Sequence, residues 1–141
     1  MPTKSDNFAD PQDIRAILGM KSIAVVGLSS DPWRPSHDVS RYMMQHGYAI
    51  TPVNPNEKEI FGQESYSSLR DLTEPPEVVN VFRRSEFVSE VVDDAIEVGA
   101  KAIWLQFNVI DYEAARRARD AGLIVVMDRC LKVEHARNMW S

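Results

Sequence analysis

The chain is organised around the stretch SIAVVGLSSDPWRPS, residues 22–36. It begins as a buried apolar strand, passes directly into a Gly-Ser loop at Gly27, and ends at the start of a helix. In an α/β protein this junction lies at the carboxyl edge of a parallel sheet, where ligands bind. Loop N–H groups and the helix start supply partial positive charge, and Arg34 adds a full one, so the stretch predicts a phosphate-bearing ligand. A simpler interpretation is that Gly27 forms only a tight turn and Ser36 only caps the helix.

Strand-length apolar segments alternate with helical patterns along the chain. Strands that alternate with helices form parallel βαβ units with right-handed crossovers. The sequence therefore predicts an α/β fold: a doubly wound, five-stranded parallel sheet in a three-layer α/β/α single domain. Residues 56–76 are polar, with an expected turn near Gly62 and a short helix around 67–71. The expected strands are 22–27, 48–53, 77–82, 101–106 and 123–127, and the expected helices are 11–18, 37–46, 85–98, 111–121 and 131–138.

The composition narrows the class of protein. The chain has 141 residues, with 16 Lys and Arg against 21 Asp and Glu, and the net charge of −5 is spread along it. We therefore expect no nucleic-acid partner, because no basic stripe is present. Apolar runs are too short to span a membrane, and residues 1–10 lack the apolar core of a secretory signal. One cysteine and three histidines without metal-ligand spacing predict a cytoplasmic domain with no metal site and no disulfide framework.

The expected strand ends carry the polar groups of a nucleotide site. Dinucleotide folds place Gly-x-Gly-x-x-Gly after the first strand and an acidic residue after the second, where it binds the ribose. Here one of those glycines is present, and the second strand ends in Val53-Asn54. No carboxylate stands there to repel a ribose phosphate, and Arg34 and Arg83 are nearby. The pattern favours a nucleotide with an extra phosphate over NAD.

Several of these side chains have two interpretations. Arg83 and Arg84 are candidate ligand contacts, or one of them is a surface partner of Glu86 or Glu90. Trp33 either stacks on a ligand ring or closes the loop over apolar surface. Asn54 either contacts an adenine edge or belongs to an ordinary Asn-Pro turn.

Candidates for chemistry are few. Asp128 after the fifth strand and Asp31 in the loop are the acidic groups at the strand ends. His37, in the first turn of a helix, is either a neutral hydrogen-bond partner or a surface residue. Cys130 is either a reactive thiol or a small buried residue. No paired nucleophile and base is present, so we expect no catalytic residue.

Short motifs recur at the expected strand ends: VVGLS (25–29), RPS (34–36), PVNP (52–55), VFRRS (81–85), WLQ (104–106) and VMDRC (126–130). Their combination resembles the small bacterial CoA-binding proteins, which are stand-alone relatives of the CoA-binding domain of succinyl-CoA synthetase α subunits. The resemblance covers residues 10–137. It implies that residues 1–141 form a single Rossmann-like, CoA-binding domain with a core at 10–137 and a flexible N-terminus at 1–9.

The resemblance also implies how coenzyme A is bound. The molecule would be held through its adenosine and phosphates, which agrees with the missing ribose carboxylate because CoA carries a 3′-phosphate. The implied contacts are Gly27, Leu28, Ser29 and Ser30 for the diphosphate, with Arg34 and Ser36 as phosphate partners; Val53, Asn54 and Pro55 near the adenosine, with Phe82 and Arg83 on its other side; and Gln106 at the inner edge.

The chain departs from the family pattern at Phe107-Asn108, where a glycine usually follows Trp-x-Gln. Because asparagine adopts a left-handed backbone more readily than most residues, we expect the turn to survive. The larger side chains are expected to narrow the pocket.

Two classes of function follow. The first is non-catalytic binding of CoA or acyl-CoA, as a sensor or carrier module. The alternative is an enzyme, either of the NAD(P) type or a subunit of an acyl-CoA ligase acting with a partner. A complete ligase needs a nucleotide-grasping domain and a phosphorylatable histidine, and the chain has neither. A protein partner or a homo-oligomer is also considered, with Trp104, Phe107 and Trp140 as candidate contact residues.

Overall fold

The computed structural model describes residues 6–139. Five parallel strands form one sheet in the order β2-β1-β5-β6-β7, and β3 and β4 form a separate antiparallel hairpin. This confirms the predicted doubly wound α/β fold, with the hairpin as an element that the sequence analysis missed. In chain order the elements are α1 Pro11–Leu18, β1 Ser22–Val26, α2 Pro35–Gln45, β2 Ala49–Val53, β3 Glu59–Ile60, β4 Gln63–Glu64, β5 Val78–Val81, α3 Val88–Val98, β6 Ala102–Leu105, α4 Tyr112–Asp120, β7 Ile124–Val126 and α5 Leu131–Met139, with 3₁₀ turns at Leu69–Asp71 and Ser85–Phe87.

The sheet is covered by helices on both faces. In β1, Ile23 and Val25 pack with α1, α2 and α5, whereas Ala24 and Val26 pack with α3 and α4. Because successive side chains of a strand point to opposite faces, a strand covered on both sides must be apolar throughout. This is why β1 reads as an uninterrupted apolar run, and it produces the three predicted layers.

Two helix starts differ from the predictions. Ser36 does not cap α2: the helix begins at Pro35, and Arg34 occupies the cap position without a side-chain hydrogen bond. Proline fits the first helical position because its φ angle is fixed and its missing N–H is not needed there. The helix expected from Ser85 starts at Val88, after the 3₁₀ turn, and the Ser85 hydroxyl instead accepts a hydrogen bond from the Ile110 N–H at 2.9 Å.

The N-terminal expectation is corrected in part. Residues 1–5 lie outside the described residues, but Phe8 is buried in the core, and its carbonyl accepts a hydrogen bond from the Met127 N–H at 2.7 Å. The guanidinium of Arg119 lies 4.1 Å from the centre of the Phe8 ring. Residues 6–9 therefore belong to the packed fold rather than to a flexible tail.

Candidate functional site

The site lies at the carboxyl end of β1, which has β2 as its neighbour on one side and β5 on the other. The chain passes from β1 to β2, and the later strands are added on the opposite side of β1. In doubly wound sheets such a switch point opens a crevice at the carboxyl ends of the strands. Here a cleft of about 1170 Å³ occupies that position. It is lined by Gly27, Ser29, Arg34, Pro35, Ser36, Val39, Phe82, Gln106, Phe107, Asn108, Val109, Asp128, Arg129, Cys130, Val133, Glu134 and Arg137.

Gly27 brings the ends of β1 and β5 together. Its φ is +89°, and a Cβ atom at this position would lie 2.3 Å from the carbonyl oxygen of Phe82. Any other residue would be strained by its backbone conformation and would also collide with β5. Gly27 thus forms the tight turn of the simpler interpretation, and it also permits the close approach that shapes the cleft.

The loop after Gly27 is held in one conformation by its own hydrogen bonds. The Ser29 N–H donates to the Ser36 hydroxyl oxygen at 3.0 Å, and the Asp31 N–H donates to the Ser29 hydroxyl oxygen at 3.0 Å. His37 Nδ1 lies 2.9 Å from the Ser29 carbonyl oxygen, which requires the proton on Nδ1. Ser36 therefore stabilises the loop instead of capping the helix.

The segment after β2 holds the loop from the other side. The Ser30 N–H donates to Glu57 Oε2 at 2.7 Å, and Asn54 Nδ2 donates to the Leu28 carbonyl oxygen at 3.0 Å. Asn54 Oδ1 also accepts from the Asn56 N–H at 2.9 Å, as in an Asx turn. The amide of Asn54 is thus engaged in a turn and in positioning the loop, which is the second of its two interpretations.

The twelve predicted contacts separate into three groups. Gly27, Ser29, Arg34, Ser36, Phe82 and Gln106 line the cleft. Val53, Pro55 and Arg83 line a smaller hollow of about 200 Å³. Ser30 and Asn54 are among the lining residues of neither space, and Leu28 has a fully buried side chain that leaves only its backbone for a ligand.

The arginines of the site are weakly engaged. Arg34 is 71% exposed and lies 4.0 Å from the Asp31 carboxylate. The Arg83 guanidinium stacks 4.5 Å from the centre of the Phe87 ring, and it is Arg84, not Arg83, that approaches Glu86, at 3.8 Å. Stacking on an aromatic face leaves the hydrogen-bond donors at the guanidinium edge available.

The inner edge of the cleft is formed around Gln106. Its side-chain oxygen accepts a hydrogen bond from the Leu131 N–H at 3.1 Å, which fixes the start of α5. Asn108 has a φ of +68°, which confirms the expected left-handed turn, and its N–H donates to Asp128 Oδ1 at 2.7 Å. Phe107 is 65% exposed, so its side chain lies at the rim of the cleft.

Of the three aromatic residues considered for a partner surface, Trp104, Phe107 and Trp140, the structure shows Phe107 to be exposed. Trp104 is fully buried, and its indole N–H donates to the Arg129 carbonyl oxygen at 2.8 Å. The prediction that Trp104 contributes to a partner surface was therefore wrong. Trp140 lies outside the described residues, so Phe107 and Trp33, which is 93% exposed, are the aromatic side chains available near the cleft.

Sequence reasoning missed one wall of the site. Helix α5 presents Val133, Glu134 and Arg137 to the cleft, and Cys130, immediately before the helix, continues this wall. The spacing i, i+3, i+4, i+7 indicates one helix face, but only the packing of α5 shows what that face contacts. The Lys132 ammonium binds Asp38 of α2 at 2.9 Å, and this contact fixes where α5 lies.

The resolved shifts in acidity lie away from the cleft. The hydrogen bond from Lys132 lowers the pKa of Asp38, and backbone N–H groups of Lys21 and Ser22 lower the pKa of Glu77. Burial lowers the pKa of His135. Among residues 6–139, no group of acidic, histidine and cysteine side chains is arranged to hold a metal ion. Over the same residues, every helix is too short or too polar to cross a bilayer.

Comparisons with known proteins identify two kinds of relative: proteins of similar length that match nearly the whole chain, and larger enzymes of which one part matches. The Bacillus subtilis protein YneT is 45% identical over 125 residues, covering 88% of this chain and 93% of YneT. A hypothetical protein from Pyrococcus horikoshii has a solved structure with a TM-score of 0.89, 39% identity and 99% coverage of both chains. The ADP-forming acetate–CoA ligase II of Archaeoglobus fulgidus is 29% identical over 91 residues, which are 63% of this chain but 14% of the ligase.

The family assignment rests on the match that spans nearly all the elements above. Residues 21–136, from just before β1 to within α5, match the family described as a CoA binding domain. The chain therefore belongs to the CoA-binding domain family.

Proposed function

We propose that the protein binds coenzyme A or an acyl-CoA without transforming it, as a sensor or carrier module. In this proposal residues 1–141 act as a single CoA-binding domain. The observation that carries the proposal is the prefolded loop from Gly27 to Ser36 at the mouth of the cleft, with Arg34 beside it. Loop N–H groups and a neighbouring cation are the usual partners of a diphosphate. Here the N–H groups of Ser29 and Ser30 donate to Ser36 and Glu57, so the diphosphate has to replace these partners.

The ligand is divided between the two spaces. The diphosphate lies against the backbone of residues 27–30, with Arg34 and the Ser36 O–H as donors. The adenosine occupies the hollow lined by Val53, Pro55 and Arg83. Its 3′-phosphate is met by Arg83; of the two carboxylates that also line this hollow, Glu90 and Asp94, the latter is paired with Arg70 at 2.7 Å. The pantetheine arm then runs along the cleft past Phe82 and Gln106.

The polar groups of the cleft support binding over catalysis. The Asp128 carboxylate, which lines the cleft, accepts from the Asn108 N–H, and His37, which does not line it, donates from Nδ1 to the Ser29 carbonyl. Each of these groups is therefore used in positioning a loop. The one cysteine of the sequence, Cys130, is a free thiol, as is typical of proteins in the reducing cytoplasm, which we propose as the location.

A second candidate function is that of a ligase subunit acting with a partner. The acetate–CoA ligases among the relatives are much longer than this chain. Trp33 and Phe107 are exposed near the cleft, at 93% and 65%. Exposed aromatic side chains are enriched at interfaces, so a partner would be expected to cover the cleft from this side.

Calorimetric titration of the purified protein with CoA, dephospho-CoA and NAD tests the proposal. We expect CoA to bind most tightly, dephospho-CoA more weakly because it lacks the 3′-phosphate, and NAD not measurably. Binding of NAD with an affinity equal to that of CoA would contradict the proposal. Absence of CoA binding by the isolated chain, restored by a ligase partner subunit, would favour the second candidate.

A further inference from the structure

The amide side chain of Gln106 has a partner on one side only. The side chain is 4% exposed and lines the cleft. Its oxygen accepts from the Leu131 N–H at 3.1 Å, so the NH2 group is the part of the amide left for other contacts. Among residues 6–139, no protein atom accepts a hydrogen bond from this NH2 group. A largely buried donor without an acceptor is unfavourable, so the NH2 group indicates a ligand oxygen at this point of the cleft.

Cys130 is held next to this amide. The residue after it provides the N–H that Gln106 binds, and the Cys130 carbonyl itself accepts from the Glu134 N–H at 3.0 Å. On its other side, the Arg129 carbonyl accepts from the Trp104 indole N–H at 2.8 Å. The Cys130 side chain is half-buried, lines the cleft and carries the only thiol of the sequence. Its backbone is therefore fixed on both sides, with the thiol at the wall of the cleft beside Gln106.

The distance from the phosphate loop to this wall is within the reach of the pantetheine arm of CoA. Gly27 follows β1 and Gln106 follows β6, two strands away in the order β1-β5-β6. Two strand spacings are about 10 Å. The pantetheine arm has about thirteen bonds between phosphate and sulfur and spans about 15 Å at the rise of an extended chain. An arm that starts at the loop of residues 27–30 is thus long enough to pass Gln106, whose NH2 group binds one of its amide carbonyls, and to bring its sulfur to Cys130.

We infer that Cys130 is a modification site, at which the protein captures oxidised CoA as a mixed disulfide. The inference rests on the proposed function. The Cys130 sulfur releases its proton to water and attacks the nearer sulfur of a CoA disulfide, the S–S bond of that disulfide breaks, and the second CoA leaves as a thiolate that takes up a proton. One disulfide replaces another, so no further oxidant is consumed. A thiol reductant reverses the step and returns both Cys130 and CoA to the thiol form.

The test compares two disulfides that share the reacting sulfur atoms and the arm. They are CoA disulfide and pantethine, the disulfide of pantetheine, which lacks the nucleotide. Intact mass of the full chain measures the rate at which each forms an adduct. We expect CoA disulfide to react at least tenfold faster, because bound phosphates raise the local concentration of its sulfur at Cys130. The adduct should add one CoA less two hydrogen atoms, disappear with reductant and be absent in Cys130→Ser.

The variant Gln106→Glu tests the path assigned to the arm. It retains an oxygen that accepts from the Leu131 N–H but loses the NH2 donor. The rate with CoA disulfide is expected to fall at least threefold. Gln45→Glu, at an exposed position of α2 and with the same change in net charge, is the matched control and should leave the rate unchanged.

Calorimetric titration of the reduced protein with CoA separates this inference from the proposed function. If CoA binds but the two disulfides react at equal rates, or no adduct forms, the inference is overturned and the proposed function stands. An unchanged rate in a folded Gln106→Glu variant would also overturn the inference. If that variant fails to fold, the ratio of the two rates in the unaltered protein still decides. No binding of CoA, together with no preference for CoA disulfide, would overturn both proposals.

Discussion

The carboxylate of Glu57 accepts a hydrogen bond from the backbone N–H of Ser30 at 2.7 Å. Ser30 belongs to the loop that the proposed function assigns to the diphosphate, so a side-chain anion already occupies one of its donors. Glu57 comes from the segment between β2 and β3, and it links that segment to the loop. A phosphate that uses the same donor has to displace a group of like charge.

Replacing Glu57 should therefore strengthen ligand binding. In Glu57→Gln the side chain retains an oxygen acceptor but loses the charge that opposes the diphosphate. We expect CoA to bind on the order of threefold more tightly, as for a partly exposed charge interaction. Glu59→Gln, at an exposed position of β3 two residues further on, is the matched control and should have little effect. Calorimetric titration that shows weaker or unchanged binding in Glu57→Gln would refute this view of the loop.

Two glycines with similar backbone angles should differ in their tolerance of alanine. Gly27 has a φ of +89° and Gly47 a φ of +91°, but only at Gly27 would a Cβ atom meet another group, the Phe82 carbonyl at 2.3 Å. Gly47→Ala should lower the free energy of unfolding by about 1 kcal/mol, for backbone strain alone. Gly27→Ala should lower it by about 3 kcal/mol or more, because β1 and β5 must also move apart. Urea denaturation of both variants measures the difference, and equal losses would contradict the close approach.

The parts of the fold that were predictable are those determined by local sequence. The apolar run of β1 predicted a strand covered on both faces. The helices expected at 11–18 and 111–121 start beside Asp10 and Asp111, and each of these side chains accepts a hydrogen bond from the following turn. Asn108 predicted a left-handed turn for the same local reason: its short amide side chain tolerates that conformation.

What escaped prediction depends on contacts between distant segments. Glu134 belongs to no motif of the sequence, and its burial depends on how α5 packs against the rest of the fold. Glu57 lay in a polar segment with no motif, and its role follows from the path of that segment beside the loop. Phe8 lies in the N-terminus that the resemblance implied to be flexible, and a single aromatic residue among polar ones carries no periodic pattern that would predict its burial.

The stability of the protein should decrease when the pH falls from 7.5 to 5.5. Burial lowers the pKa of His135 below its ordinary value of 6.5, and the positive charges of His46 and Lys21 lower it further. Below about pH 6.5 the unfolded chain therefore binds a proton at this position that the folded chain does not, and the free energy of unfolding falls. Urea denaturation at both pH values measures the change.

His135→Gln is the variant that tests this assignment. It should flatten the pH dependence between 7.5 and 5.5, because the other resolved shifts belong to groups that titrate outside this range: the carboxyl groups of Asp38 and Glu77 at lower pH, and Tyr48 and Arg70 at higher pH. An equally steep slope in His135→Gln would assign the pH dependence to other groups.

Variants of the adjacent Arg83 and Arg84 distinguish a specific contact with the 3′-phosphate from a general effect of positive charge on ligand binding. Arg83 lines the small hollow and stacks on Phe87, whereas Arg84 extends toward Glu86. If Arg83 meets the 3′-phosphate, Arg83→Met should weaken CoA binding about tenfold and leave dephospho-CoA binding nearly unchanged, since one charge-assisted contact is lost. Arg84→Met removes the same charge one residue away and should preserve the preference for CoA. Arg34→Met should weaken the binding of CoA and of dephospho-CoA to the same extent, because both ligands contain the diphosphate. If instead Arg83→Met weakened CoA and dephospho-CoA equally, Arg83 would belong to the diphosphate site, and the 3′-phosphate would lie elsewhere.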